Sequence, residues 1–191
     1  MTGSHRSRAA EILETTIRLF EHRGTTAYLG EPVTMAEHML QAAWLAEQET
    51  ADDELVAAAL LHDIGHFAGG FPSDAVAAGR DNFHENTGAA LLEPVFSERL
   101  TACVRHHVAA KRYLCAVEPA YFATLSRASV DTLALQGGPM RGESLKAFRA
   151  LPWLADILRV RRWDDAAKVA GRPTPPLSHF VPRLRTLAGI G

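Results

Sequence analysis

Residues 57–66 read Ala57-Ala58-Ala59-Leu60-Leu61-His62-Asp63-Ile64-Gly65-His66, and this stretch decides the fold. Small and apolar residues up to Leu61 predict a closely packed helix. His62 and Asp63 follow at its end, where burying an imidazole and a carboxylate without partners would be costly. The sequence therefore predicts a charged partner, such as a metal ion, at the end of a buried helix.

Length and composition favour one compact domain. The 191 residues are 47% hydrophobic and carry a formal net charge of -2, so no large basic face is expected for nucleic acid. The longest apolar runs, such as residues 55–61, stay well below the about 20 residues of a membrane span. Residues 1–20 lack the continuous apolar region of a secretory signal, which favours a cytoplasmic location. Cys103 and Cys115 form no C-x-x-C pair and are expected to be buried thiols.

The chain is predicted to be helical nearly throughout. Apolar residues recur at three- and four-residue intervals, and Thr34 with Glu37 has the pattern of a capping box. Gly65 is expected to end the third helix just past the His-Asp pair, and a Gly-, Pro- and Asp-rich loop follows over residues 67–82. Helices are predicted at residues 9–20, 34–49, 52–64, 84–94, 98–113, 121–133 and 153–169. No strand alternation of any length appears, so the predicted fold class is all-α.

Four of the nine histidines fall on the apolar sides of separate predicted helices. They are His38, His62, His84 and His107. A neutral imidazole in such a place needs a partner for at least one ring nitrogen. One inward histidine is more often a satisfied core residue than a ligand. Four of them, with Asp63 and Asp164 also facing inward, would make the core too polar unless they converge on metal.

The chemistry of these side chains narrows the choice of metal. Imidazole and carboxylate ligands suit iron, manganese or zinc. Six protein ligands are too many for one ion that keeps positions open for substrate. Two metals bridged by Asp63 are therefore the expected count.

The order of these residues resembles a known signature. His38, His62-Asp63 and Asp164 follow the order of the H…HD…D pattern, which is the signature of the HD-domain superfamily of all-α metal-dependent phosphohydrolases. His84 and His107 also match the extended pattern of the dinuclear members of that superfamily. The resemblance implies a single-domain HD helical bundle over residues 1–191. Its metal-binding core would span residues 34–168, after an N-terminal helix and lid loop at 9–33 and before a tail at 171–191.

A narrower resemblance is to the HD-domain di-iron oxygenases that cleave the carbon–phosphorus bond of organophosphonates. It rests on Tyr28-x-x-Glu31, His62-Asp63-Ile64-Gly65-His66, His107-x-x-x-Lys111, Ser126-Arg127-Ala128-Ser129, Leu135-Gln136-Gly137-Gly138-Pro139 and Arg161-x-x-Asp164. Ordinary HD phosphohydrolases would not be expected to carry the tyrosine and glutamate ahead of the first ligand helix. This pair therefore favours the oxygenases.

The resemblance implies two iron ions. One would be held by His38, His62, Asp63 and Asp164, and the other by Asp63, His84 and His107. It also implies a mixed-valent Fe(II)/Fe(III) pair with O2 as co-substrate. The expected substrate is a 2-amino-1-hydroxyethylphosphonate or its N-trimethylated counterpart, which would yield phosphate and a carboxylic acid. The oligomeric state stays open.

Further residues are expected to bind the substrate. His66 and Lys111 each lie one turn beyond a histidine ligand, so both are placed to contact a phosphonate over the cluster. Arg161 shares one side of its helix with a presumed carboxylate ligand and is predicted to add a bidentate clamp. For both Lys111 and Arg161, a solvated salt bridge is an equally good interpretation. Ser129 and Thr132 are additional candidates.

Tyr28 and Glu31 are interpreted as a lid. By the resemblance, Tyr28 ligates an iron in the empty site and swings out when substrate binds, while Glu31 accepts the substrate's amino or ammonium group. A buried Glu31 would be costly without a cation. The competing interpretation is a loop tyrosine and a glutamate near a helix, with no catalytic role.

Two other functions compete. A metal-dependent phosphohydrolase acting on a nucleotide or a phosphate monoester explains the ligands equally well, but it leaves Tyr28 and Glu31 unexplained. A non-catalytic HD module that binds a phosphorylated signal predicts an incomplete ligand set, whereas this chain retains all six candidates.

Overall fold

The computed structural model describes residues 3–28, 30–68 and 83–190. Within these ranges the chain forms ten α-helices, one 3-10 helix and no β-strand, which confirms the all-α prediction. The α-helices are α1 (Gly3–Arg23), α2 (Met35–Gln48), α3 (Asp53–Leu61), α4 (Gly65–Ala68), α5 (His84–Leu92), α6 (Glu98–Val117), α7 (Arg127–Leu135), α8 (Gly142–Arg149), α9 (Leu154–Ala166) and α10 (Leu177–Leu187). The 3-10 helix, η1, is Tyr121–Thr124. Residues 69–82 of the predicted loop lie outside the described residues.

Helix α3 lies at the centre of the bundle. Its residues from 55 to 61 are all buried, because leucine, valine and alanine leave no polar face in this part of the helix. Helices α2, α6, α9 and α10 pack against it. The His62-Asp63 pair therefore follows directly from the most enclosed helix. No helix in the described ranges is long and apolar enough to cross a membrane.

Side-chain caps begin four of the described helices, which are α2, α3, α6 and α7. The Thr34 hydroxyl accepts the backbone N–H of Glu37, and the Glu37 carboxylate accepts that of Thr34, so the predicted capping box is confirmed. Asp52, Ser97 and Ser126 each accept the N–H three residues on, at the starts of α3, α6 and α7. These short polar residues therefore define where each helix starts.

Gly65 begins α4, and the prediction that it ends the preceding helix is wrong. Helix α3 stops at Leu61, and a turn over residues 62–64 leads into α4. A Cβ atom on Gly65 would lie 1.9 Å from the carbonyl oxygen of His84. Glycine is therefore needed here because α4 approaches the start of α5 too closely for any side chain.

Other predicted helices also differ from the structure. The predicted helix at 121–133 is two elements, because Ser126 caps a new helix after η1. Helix α8 was not predicted; it has only eight residues, and Phe148 is its one buried side chain. The last long helix ends at Ala166, three residues earlier than predicted.

Candidate metal centre

His62 and Asp63 lie in the turn between α3 and α4. The backbone at His62 keeps right-handed helical angles (φ -57°, ψ -35°), so successive side chains leave the chain in different directions. Both residues are at most 1% exposed. The turn therefore points two polar side chains into the interior without a change of backbone direction.

The first group of donor atoms comes from His38, His62, Asp63 and Asp164. The Nε2 atoms of His38 and His62 are 3.0 Å apart. Each lies 3.4 Å from Oδ2 of Asp63. Oδ1 of Asp164, which belongs to α9, lies 3.4 Å from His38 Nε2 and 4.0 Å from His62 Nε2. Four side chains from α2, the α3–α4 turn and α9 thus face one point.

The second group combines Asp63 with two more histidines. The Nε2 atoms of His84 and His107 are 3.1 Å apart. They lie 3.1 Å and 3.3 Å from Oδ1 of Asp63. Because Oδ2 faces the first group and Oδ1 faces the second, Asp63 has the placement of a carboxylate that bridges two cations. We call these six residues the metal centre.

Backbone carbonyls fix the orientation of three of the four histidine rings. The Nδ1 atoms of His38, His62 and His107 lie 3.0, 2.8 and 2.7 Å from the carbonyl oxygens of Ala167, Ala59 and Val104, respectively. A carbonyl can only accept, so each Nδ1 carries the proton and donates it. In the neutral rings, Nε2 therefore presents a lone pair to the cluster, as metal-binding histidines do.

The donor set fits two metal ions. Two lone pairs 3.0 Å apart repel each other unless a proton or a metal ion lies between them. Two adjacent ligands at right angles, each about 2.1 Å from an ion, are about 3 Å apart, which matches both histidine pairs. Asp63 Oδ2 and Asp164 Oδ1 are buried and accept no hydrogen bond, so both are available to cations. Nitrogen and oxygen donors without thiolate suit iron, manganese or zinc.

The electrostatics of the site favour cations. Burial alone would raise the pKa of Asp63 and of Asp164, but positive neighbours, chiefly His62 and Arg161, hold both values well below the usual range. Burial alone would lower the pKa of His62, but Asp63 outweighs burial and raises it to about 9. Burial lowers the pKa of His107 to about 4. The carboxylates therefore stay charged, and the His107 ring stays neutral, as a metal ligand has to be.

Arg161 is directed at two carboxylates of its own helix. Its Nη1 lies 2.8 Å from Oδ2 of Asp164, which leaves Oδ1 of that residue facing the metal centre. Its other nitrogens contact Asp165 and the Tyr121 hydroxyl, which itself donates to Asp165. Arg161 thus positions Asp164, a residue of the metal centre. The predicted contact of its guanidinium with a substrate stays a prediction.

The loop ahead of α2 reaches the metal centre. The Tyr28 ring stacks on the His38 ring with centroids 4.1 Å apart, and only 9% of the residue is exposed. Burial, followed by the charges of Asp63 and Asp164, raises the pKa of Tyr28 well above its ordinary value. The Glu31 amide donates to the Tyr28 carbonyl at 2.7 Å, and Gly30 between them has φ +83°, so this tight turn requires glycine.

The Glu31 side chain is also turned inward. Its Oε1 accepts a hydrogen bond from the Ser126 hydroxyl at 2.5 Å and lies 3.5 Å from Nζ of Lys168. Only 8% of the Glu31 side chain is exposed. The predicted lid residues therefore meet at the metal centre, one against a histidine ligand and the other against a buried lysine.

The predicted phosphonate contacts lie along α6 and α7. Nζ of Lys111 donates to the Thr132 hydroxyl at 2.8 Å and to the Ser129 carbonyl at 3.3 Å. Burial, and then the charge of Arg161, lowers the pKa of Lys111 to about 7. On the other side of the cluster, the His66 ring stacks on His84 with centroids 3.9 Å apart. The sequence-predicted candidates are therefore brought together around the metal centre.

Comparison with known proteins identifies the family. A model of the HD domain matches residues 35–139, which is more than half of the chain. The chain belongs to the HD-domain family. HD-domain relatives include a [1-hydroxy-2-(trimethylamino)ethyl]phosphonate dioxygenase (glycine-betaine-forming) from Leisingera caerulea, 49% identical over 92% of this chain and 90% of the relative. A hydroxymethylphosphonate dioxygenase from Gimesia maris is 41% identical over 89% of this chain and 85% of the relative.

Sequence reasoning missed several residues of this HD-domain site. Lys168, Asp165 and Tyr121 were not predicted as site residues, yet each contacts Arg161, Asp164 or Glu31. Lys168 lies four residues after an HD-domain ligand, and that spacing was the available signal. Asp165 and Tyr121 gave no such signal, because their contacts depend on how η1 packs against α9.

Proposed function

We propose that this HD-domain protein is a di-iron oxygenase that cleaves the carbon–phosphorus bond of [1-hydroxy-2-(trimethylammonio)ethyl]phosphonate. One O2 is consumed, and the products are phosphate and glycine betaine. The observation that carries the proposal is the loop ahead of α2, which stacks Tyr28 on His38 and brings Glu31 to Lys168, beside the six residues of the metal centre. The 49% identity to a relative named for this reaction supports the choice of substrate.

The chain offers a separate ligand group to each iron ion. His38, His62, Asp63 and Asp164 would hold one ion, and Asp63, His84 and His107 the other. When bound, a mixed-valent Fe(II)/Fe(III) pair supplies Lewis acidity and redox equivalents for the reaction with O2. The protein keeps the site dry, since five of the six ligands are at most 2% exposed and His84 is 9% exposed.

Charged and polar side chains recognise the two ends of the substrate. Lys111 and the hydroxyls of Ser129 and Thr132 bind the phosphonate oxygens from the α6–α7 side. His66 faces the cluster as a neutral ring, because burial and His84 lower its pKa to about 3, and it contributes a neutral polar contact. Glu31 accepts the cationic nitrogen. Opposite charges at the two ends therefore fix the direction in which the substrate lies.

Tyr28 covers the site until substrate binds. Its phenol is buried against His38, so a substrate that reaches the first ligand group has to displace it. We expect protein loaded with iron to show a visible absorption band from the Tyr28 phenolate on Fe(III). Tyr28→Phe should abolish that colour while the iron content stays the same. A variant that keeps the band would contradict this role for Tyr28.

Phosphorus NMR tests the proposed reaction directly. Protein reconstituted with iron under anaerobic conditions is mixed with the trimethylammonio substrate, and air is then admitted. The substrate signal should be replaced by that of inorganic phosphate, with one phosphate formed per O2 consumed. Phosphate release before air is admitted would instead support a hydrolase, and no release from any aminohydroxyphosphonate would rule out the proposal.

A further inference from the structure

Lysine is rare in this chain and concentrated at the metal centre. Of the 20 lysine and arginine residues, only Lys111, Lys146 and Lys168 are lysine. Lys146 is an exposed surface residue that pairs with Glu143. The other two side chains are largely buried beside the cluster, with Lys168 only 10% exposed. Two of the three lysines thus lie at the metal centre, whereas the other basic residues of the chain are, except for Lys146, arginines with a larger guanidinium group.

The ammonium group of Lys168 lies near two carboxylates, one in the lid loop and one in the metal centre. Its Nζ donates to the Ser129 hydroxyl at 2.9 Å and lies 3.5 Å from Oε1 of Glu31. Oδ1 of Asp164, the oxygen that faces the metal centre, is 3.8 Å away. The face of the Tyr28 ring is 6.0 Å away, measured from Nζ to the ring centroid. The ammonium group therefore lies between the lid loop and the metal centre.

Lys111 and Lys168 approach Ser129 from two elements. Lys111 contacts the Ser129 carbonyl, whereas Lys168 contacts its hydroxyl. Two ammonium groups that contact the same residue repel each other. Accordingly, the charge of Lys168 is one of the causes that lower the pKa of Lys111. An anion bound between the two ammonium groups would remove the repulsion and accept hydrogen bonds from both.

The ion pair of Glu31 and Lys168 mimics a zwitterionic substrate. Its carboxylate and ammonium balance each other inside a largely buried space. A substrate with a cationic nitrogen and a phosphonate can replace both partners at once, so neither side chain is left unpaired. A phosphonate without the nitrogen would draw Lys168 away and leave a buried carboxylate without a cation, which is costly.

We propose that Lys168 is a second phosphonate-binding ammonium group. When the substrate binds, Lys168 leaves Glu31 and pairs with the phosphonate, and the substrate's cationic nitrogen replaces Lys168 beside Glu31. This inference rests on the proposed function, because it assumes a phosphonate in this site. It makes Lys168 a residue that determines specificity. Zwitterionic phosphonates should bind more tightly than hydroxymethylphosphonate, because their cationic nitrogen pairs with Glu31 when Lys168 moves to the phosphonate.

Calorimetry on the iron-loaded protein without O2 tests the exchange. The probes are the trimethylammonio substrate and hydroxymethylphosphonate. Lys168→Met should weaken binding of the trimethylammonio substrate by about 10- to 100-fold, the effect of losing a charged hydrogen bond. Lys168→Arg should retain part of the affinity. The matched control is Lys146→Met, which removes the exposed lysine and should bind both probes as the unchanged protein does.

Glu31→Gln distinguishes the exchange from a purely structural role of the Glu31–Lys168 pair, because a structural role would not change the preference between the two probes. The neutral amide needs no cation, so this variant should bind hydroxymethylphosphonate more tightly than the unchanged protein and the trimethylammonio substrate less tightly. The preference between the two probes should shrink or reverse. Iron content, measured on each variant, shows whether the metal centre is intact.

Each result supports or overturns the exchange. Unchanged affinity in Lys168→Met, or an unchanged probe preference in Glu31→Gln, overturns it even if the protein releases phosphate from the substrate. If Lys168→Met loses affinity but the unchanged protein releases no phosphate in air, the proposed function is wrong and the anion-binding role of Lys168 is still supported. Failure of the unchanged protein to bind either probe overturns both.

Discussion

Helices α3, α6 and α9 are linked by two clusters of charged side chains, and the two clusters are built differently. At their N-terminal ends, Arg99 pairs with Asp52, Glu54 and Asp156 at 2.9, 3.1 and 2.8 Å. We call these four residues the Arg99 cluster. Farther along the same helices lies the metal centre, with His62 just after α3, His107 midway along α6 and Asp164 near the end of α9. The three helices therefore run in one direction between two unlike charged sites.

The difference lies in what each cluster needs from outside the chain. The Arg99 cluster supplies its own cation, remains partly exposed and places acidic residues at helix N-termini, where the helix dipole favours them. The metal centre is buried and has two carboxylate oxygens without hydrogen bonds. Nearby helix C-termini add partial negative charge. One end thus holds the helices together unaided, and the other is arranged to bind cations.

Asp63→Asn should have the largest effect, because it removes the only carboxylate shared by both ligand groups. A neutral amide binds metal more weakly and bridges poorly. Metal-based stabilisation of several kcal/mol should be lost, so activity should fall by about 1,000-fold or more. Metal analysis should find fewer than two irons per chain. Two retained irons with full activity would contradict the bridging role.

Arg161→Lys should weaken iron binding without removing the positive charge. A lysine cannot span Asp164 and Asp165 as the guanidinium does. Loss of the group that orients a metal ligand typically costs about 10- to 100-fold in metal affinity. Competition with a chelator measures this change. The neighbouring Arg162→Lys, on an exposed side chain that pairs with Glu118, is the matched control and should have no effect.

The pH dependence of substrate binding should follow Lys111. Its pKa is lowered to about 7, so its side chain is protonated below that pH and becomes neutral above it. The KM for the phosphonate should therefore rise as pH increases above about 7, by up to about tenfold per pH unit if this charge is required. Lys111→Arg keeps its charge and should flatten the profile. Identical profiles in the two proteins would rule out this titration.

Arg99→Met should have the smallest effect on function. Partly exposed ion pairs contribute about 0.2–1 kcal/mol each, so losing three should lower the free energy of unfolding by roughly 1–2 kcal/mol. Thermal unfolding should show a Tm lower by several degrees. Iron content and turnover should not change. A loss of iron in this variant would show that the two ends of the helices are coupled.

The sequence predicted all six residues that the structure brings together in the metal centre, because each stands out locally as a polar residue on an apolar face. It also predicted Tyr28, Glu31 and Lys111 as site residues, although their roles remain predictions. The contacts of Arg161 could not be read from spacing. Asp164 and Asp165 both compete for its guanidinium, and only the packed structure shows that it holds both.

Helix boundaries were harder to predict where tertiary packing decides them. Gly65 looked like a helix stop, because glycine often follows a last turn. Its actual requirement is the close approach to the backbone of His84, a residue 19 positions further along the chain. The predicted helix over residues 153–169 includes Lys168, yet α9 ends before it. The irregular backbone beyond Ala166 still leaves its side chain beside Glu31.

The hydrogen bonds at the back of His62 and His107 have a consequence for how metal is acquired. Each ring donates to the carbonyl three residues earlier in its own chain segment. Once that single turn forms, the imidazole is aimed before any ion arrives. Metal loading should therefore require little reordering of these two rings, and the protein should capture its ions with a preorganised pair of nitrogens instead of assembling them around the cation.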